Sequence, residues 1–132
     1  MKKFIKNYWK TILVTLVICY LCFAPPKTFG DATSVFKNAD KLVHFFMFFV
    51  LAISIYIDNQ HNTLKHKWAV ILFCWIFPVI FGLAIEGVQY FFLPLRTGDL
   101  KDWFFDCLGY IHGIVTIKLF YKLKNRINGT TN

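Results

Sequence analysis

Charge is nearly absent from four stretches of the chain, residues 11–24, 42–57, 68–85 continuing to 92, and 103–121, and polar residues gather in the links between them. A helix rises 1.5 Å per residue, so about 20 apolar residues cross the ~30 Å hydrocarbon layer of a bilayer. The first two stretches are short for that, and both lengthen at their ends. Phe4, Ile5, Tyr8 and Trp9 extend the first while Lys6 and Lys10 reach back to the headgroups, and a start at Asn38 or Asp40 adds a turn to the second. The pattern predicts an all-α fold, an integral membrane bundle of four transmembrane helices at about 8–24, 40–57, 68–92 and 100–121, forming one domain over residues 1–132.

Punctuation between the stretches agrees with this. Pro25 and Pro26 stop the first helix, and Gly30 and Asp31 favour a turn in the link that follows. The polar run Asp58, Asn59, Gln60, His61 closes the second helix, and the short link after it makes helices two and three antiparallel neighbours. Pro78 lacks the N–H that the carbonyl of Cys74 needs, so helix three is expected to bend there before Pro94 ends it. Thr97 or Asp99 is placed to cap helix four, and residues 122–132 read as a frayed tail.

Composition sharpens the picture. The chain is 57% hydrophobic and 20% aromatic, far from an ordinary soluble domain. Its formal charge of +8 is distributed as topology rather than as a binding surface. Lys2, Lys3, Lys6, Lys10, Lys65, Lys67, Lys118, Lys122, Lys124 and Arg126 fall on one side of the predicted layer. Lys27, Lys37, Lys41, Arg96 and Lys101 fall on the other, among six of the seven acids. The positive-inside rule then puts both termini in the cytoplasm of a multi-pass protein of the cytoplasmic membrane. A basic n-region and apolar h-region also resemble a secretory signal, but no small-x-small cleavage site follows, so the first helix is read as uncleaved. Nucleic acid is not an expected partner, because the cations sit at membrane edges and the aromatic residues within apolar spans.

The acids are the candidate chemistry, since an ionisable group at a bilayer edge is costly unless paired or wet. Asp99, Asp102, Asp106, Gly109 and Gly113 recur at spacings of three and four, so they share one face of helix four. Glu86 and Gln89 share a face of helix three, and Asp40 and His44 share one on helix two beside Lys41. With Arg96 from the third link, these side chains are expected to form one polar pocket under the outer surface. Gly109 and Gly113 are expected to pack a neighbouring helix closely, within the chain or in an oligomer. His112 lies deeper, off the Asp106 face, as an interhelical hydrogen-bonding group. Phe45, Phe46, Phe48 and Phe49 are read as lipid-facing. Cys19 and Cys22 have the spacing of a redox or metal pair, yet no second pair of ligands accompanies them, and neither a metal nor another cofactor is assigned.

The ordered string Asp40-Lys41-x-x-His44, Glu86-x-x-Gln89, Arg96-x-x-Asp99-x-x-Asp102, then Gly109 and Gly113, resembles the VanZ-like family of small bacterial membrane proteins over about residues 38–116. In that pattern Asp102 and Gly109 match the Asp and Gly of Asp-x-x-x-Asn-x-x-Gly, while Asp106 stands where Asn is usual. The resemblance implies membership in a group whose founding member is associated with resistance to teicoplanin, and it carries no reaction with it.

Three functions stay open on the sequence. The cluster binds a lipid headgroup or cell-wall precursor, with Arg96 and Lys41 on an anion and Glu86, Gln89 and Asp102 on amines or hydroxyls. Alternatively its carboxylates hold Mg²⁺ or Mn²⁺ for hydrolysis or transfer at a phosphate-bearing headgroup, with His44 or Glu86 as base, although no nucleophile is singled out. Or the cluster only holds together a passive assembly partner.

Overall fold

The computed structural model describes residues 2–24, 39–61, 72–93 and 98–129, and contains no strand among them. Helix α1 is Lys2–Asn7, α2 Trp9–Phe23 and α3 Ala39–His61. A π-helical turn, Leu72–Ile76, runs into α4, Phe77–Phe92, and α5 is Leu100–Gly129. Among the described residues three segments are long and apolar enough to cross a membrane: Ala39–Gln60, Leu72–Phe92 and Leu100–Gly129. Their outward faces suit lipid, with Tyr90, Phe91 and Phe92 each more than 70% exposed. The apolar α2, at 15 residues, rises only about 22 Å.

Side-chain pairs fix how the helices run. Lys10 meets Asp58, and Gln89 meets Cys22, so α2 starts where α3 ends and finishes where α4 finishes. His44 meets Asp106 near the other end, and the Tyr56 and Tyr121 rings lie 5.7 Å apart, so α3 and α5 lie side by side with matching directions of travel. The core between them is Ile18, Phe48, Leu51, Ala52, Ile55, Ile85 and Tyr110, each no more than 4% exposed. Phe48 therefore belongs to the core rather than to the lipid face, because helix rotation sends it inward while Phe46 is 58% exposed.

Several expected boundaries move, each for a local reason. The first helix breaks at Tyr8, whose side chain is buried edge-on against Phe73 with ring centroids 5.0 Å apart. The second runs on to His61, because Asp58 is not in a wet link: it is 1% exposed and accepts hydrogen bonds from another helix. The last continues to Gly129 instead of fraying after Tyr121. Leu, Lys and Arg are good helix formers, and Arg126 in the last turn complements the negative end of the helix dipole. Of the third predicted helix, residues 68–71 lie outside the described residues.

Pro78 acts as its chemistry predicts. The helix before it loosens into the π-helical turn, and the carbonyl of Cys74 accepts instead a hydrogen bond from the Tyr110 hydroxyl of α5. Tyr110→Phe removes that donor and leaves a partly buried carbonyl without it. Its unfolding free energy in bicelles is expected to drop by about 1–2 kcal/mol with helix content unchanged; an unaltered value would mean that the carbonyl has another partner.

Candidate functional site

The charged end of the bundle is built where α3 begins, α4 ends and α5 begins. Asp99 starts α5 as its cap: the Lys101 N–H donates to Asp99 Oδ1 at 2.9 Å. The Asp99 N–H in turn donates to Glu86 Oε2 at 2.8 Å, so the start of α5 is tied to a carboxylate of α4. Gly98 is required there, because a Cβ on it would lie 2.4 Å from the Glu86 carbonyl oxygen.

Deeper in, His44 Nδ1 lies 3.0 Å from Asp106 Oδ1 and 3.8 Å from Glu86 Oε1. All three side chains are at least 95% buried, and they come from α3, α5 and α4 respectively. Glu86 Oε1 and Asp106 Oδ2 have no hydrogen-bond partner among the described residues. Nearer the surface, Lys41 Nζ lies 3.2 Å from Asp102 Oδ1 and 3.8 Å from Asp99 Oδ2. Lys41 thus neutralises this outer pair of carboxylates, while Arg96 lies outside the described residues. Asp40 is exposed, with one donor atom within 4.8 Å of those of His44 and Asp102.

Two sequence candidates are engaged elsewhere. Gln89 Nε2 donates to the Cys22 carbonyl at 3.0 Å, satisfying one of the free acceptors in the last turn of α2. His112 is exposed and bonds within its own helix, to the Leu108 carbonyl at 3.0 Å, with its ring edge-on to Phe45. Gly109 and Gly113 face α3 of the same chain, beneath Phe45 and Phe49. Cys19 and Cys22 are free thiols.

Sequence reasoning missed Gly82, whose absent side chain leaves room for the site. A Cβ there would come 3.1 Å from Asp106 Oδ2 and 3.1 Å from Trp103 Cδ1. Its spacing from Glu86 is four, which places both on one face of α4 and was a usable signal. Trp103 closes the wall by donating Nε1–H to the Val79 carbonyl at 3.2 Å.

Two grooves flank the helices. One of about 470 Å³ between α2 and α3 is lined by Leu13, Val17, Leu42, Phe46 and other apolar side chains, without a titratable group. The other, about 500 Å³, lies at the charged end between Leu83, Glu86, Tyr90, Phe91, Gly98 and Asp99. The chemistry is at the second.

Helices of this length around a buried cluster of one imidazole and several carboxylates define a helical membrane-protein class. The VanZ/LLP1 family matches the chain over residues 2–121, and the chain belongs to that family. It is similar to the uncharacterized protein C11E3.10 of Schizosaccharomyces pombe, with 34% identity over 111 residues, which are 84% of this chain and 62% of that protein. The chain therefore spans about three fifths of the length of this relative. No solved structure matches the chain.

Proposed function

We propose that the protein is a four-span protein of a bacterial cytoplasmic membrane, with both termini in the cytoplasm, that binds the headgroup of an envelope lipid or cell-wall precursor at its charged end. The observation that carries this reading is the second groove. Its walls combine Leu83, Tyr90, Phe91 and Leu100 with the carboxylates of Glu86 and Asp99, a lining suited to a molecule with a greasy body and a polar head. Glu86 Oε1, without a partner, accepts from an amine or hydroxyl of the headgroup. Arg96, three residues before Asp99 in the sequence, supplies the anion contact. The α1–α2 segment serves as the first span, its lysines reaching to the headgroups.

Teicoplanin susceptibility is the phenotype that follows from binding a cell-wall precursor. A glycopeptide-sensitive Gram-positive host expressing the chain is expected to gain selective protection against teicoplanin over vancomycin, and Glu86→Gln at equal membrane abundance is expected to lose it. Protection that persists in the variant would remove the groove from the function. Its absence with folded wild-type protein would remove the drug phenotype in that host and leave lipid-headgroup capture to be assayed with phosphate-bearing lipids and Arg96→Ala.

A further inference from the structure

The unpartnered oxygens beside His44 call for a cation. We propose that His44, Glu86 and Asp106 bind a divalent transition-metal ion, of the Zn²⁺ or Mn²⁺ class. One donor atom from each lies within 4.8 Å of the other two. The two measured separations from His44 Nδ1, 3.0 and 3.8 Å, bracket the roughly 3.3 Å between ligands that a tetrahedral ion with bonds of about 2.0–2.1 Å requires. Little movement is needed to close the set.

Charge and donor chemistry point the same way. With the imidazole neutral and both carboxylates ionised, the state that ligation requires, the site holds two negative charges at least 95% buried, where unpaired charge is costly. Lys41 does not cancel them, since its ammonium is committed to Asp102 and Asp99. A divalent ion cancels both, engaging the orphan Glu86 Oε1 together with a carboxylate oxygen of Asp106. An imidazole nitrogen among the donors selects a transition metal over Mg²⁺ or Ca²⁺, which take oxygen ligands. On binding, the His44 Nδ1 lone pair faces the ion and the ring keeps its proton on Nε2.

The surroundings hold the donors in place as an outer shell does. The Asp99 N–H occupies Glu86 Oε2 and leaves Oε1 for the ion. Gly82 leaves room beside Asp106 Oδ2. Glu86 also lines the second groove, so the ion lies next to that groove.

Zn²⁺ and Co²⁺ titrations of the full chain in lipid nanodiscs, followed by calorimetry and elemental analysis, test this without any lipid ligand. One ion per chain is expected. Affinity is expected to fall in Glu86→Gln and Asp106→Asn by at least about 100-fold, the upper end of what losing an outer-shell partner alone costs. Asp106→Asn is close to isosteric and is expected to keep the fold. His112→Gln, an exposed control, is expected to bind as wild type does. The Co²⁺ spectrum of the wild type is expected to be that of a four- or five-coordinate ion with no thiolate charge-transfer band. Folded wild type that binds no ion, binding unchanged in both carboxylate variants, or a thiolate band assigning the ion to cysteine would each overturn the proposal. If a variant misfolds, the wild-type stoichiometry and spectrum decide. Metal-free protein that still captures headgroups would count against the ion and leave the binding reading intact.

Discussion

Gly109→Ala is expected to cost about 3 kcal/mol or more, the upper end of overpacking penalties, and to leave much of the protein unfolded in bicelles. The added Cβ would sit 2.0 Å from the Phe45 carbonyl oxygen, 2.8 Å from its carbon and 2.9 Å from its Cα. Those atoms are backbone, so no rotamer change relieves the clash, and α3 must retreat from α5 as a body. Phe45 adjoins His44, and Gly109 lies one turn from Asp106, so the retreat also pulls apart the 3.0 Å contact on which the site depends. Gly87→Ala is the matched control, because a Cβ there meets nothing within 4 Å. Relieved of the helical cost of glycine, it is expected to gain up to about 1 kcal/mol. Equal stability of the two variants, measured by reversible unfolding in bicelles, would show that α3 and α5 approach less closely than described.

Asp58→Ala is expected to cost about 3–5 kcal/mol, as loss of one partner from a buried ionic network does. Asp58 Oδ2 accepts from both the backbone N–H and the hydroxyl of Thr11, each at 2.9 Å, and Oδ1 accepts from Lys10 at 3.1 Å. Lys10 is 36% exposed and turns to water when released, so the loss falls on Thr11, which is 3% exposed. Its backbone N–H is among the four that every helix start leaves open, and Tyr8 supplies no side-chain cap. Asp58→Asn keeps one acceptor oxygen and is expected to recover about half of the deficit, in keeping with a weaker neutral hydrogen bond. If the asparagine and alanine variants unfold at the same denaturant concentration, the cap to Thr11 is not what Asp58 contributes.

These two residues also show what the sequence could and could not reveal. Long apolar helices are legible because lipid and core both demand apolar side chains, and a helix must hide its own backbone. The spacing of three and four along residues 99–113 put Asp106 and Gly109 on one face, as found, because that regularity belongs to any helix. Asp58 was misread because a lone acid beside Asn59, Gln60 and His61 has the local look of a wet link. Its partner is 47 residues away, and nothing in the surrounding residues announces it. That Lys41 pairs with Asp102 depends on how α3 is rotated against α5, which no local pattern encodes. Similarly, the bond from Tyr110 to Cys74 depends on how α5 is rotated against α4, a long-range outcome of packing that no local pattern encodes.

The link from Thr11 to Asp58 has a bearing on the order in which the molecule assembles during synthesis. The first turn of α2 is made early, but the carboxylate that completes it is added only when α3 is nearly finished. Until then Thr11 must be satisfied by water, which holds the start of α2 at the aqueous edge of the bilayer while the rest of the hairpin is still being made. The first turn of α2 is thus sealed only once the far end of α3 has been made.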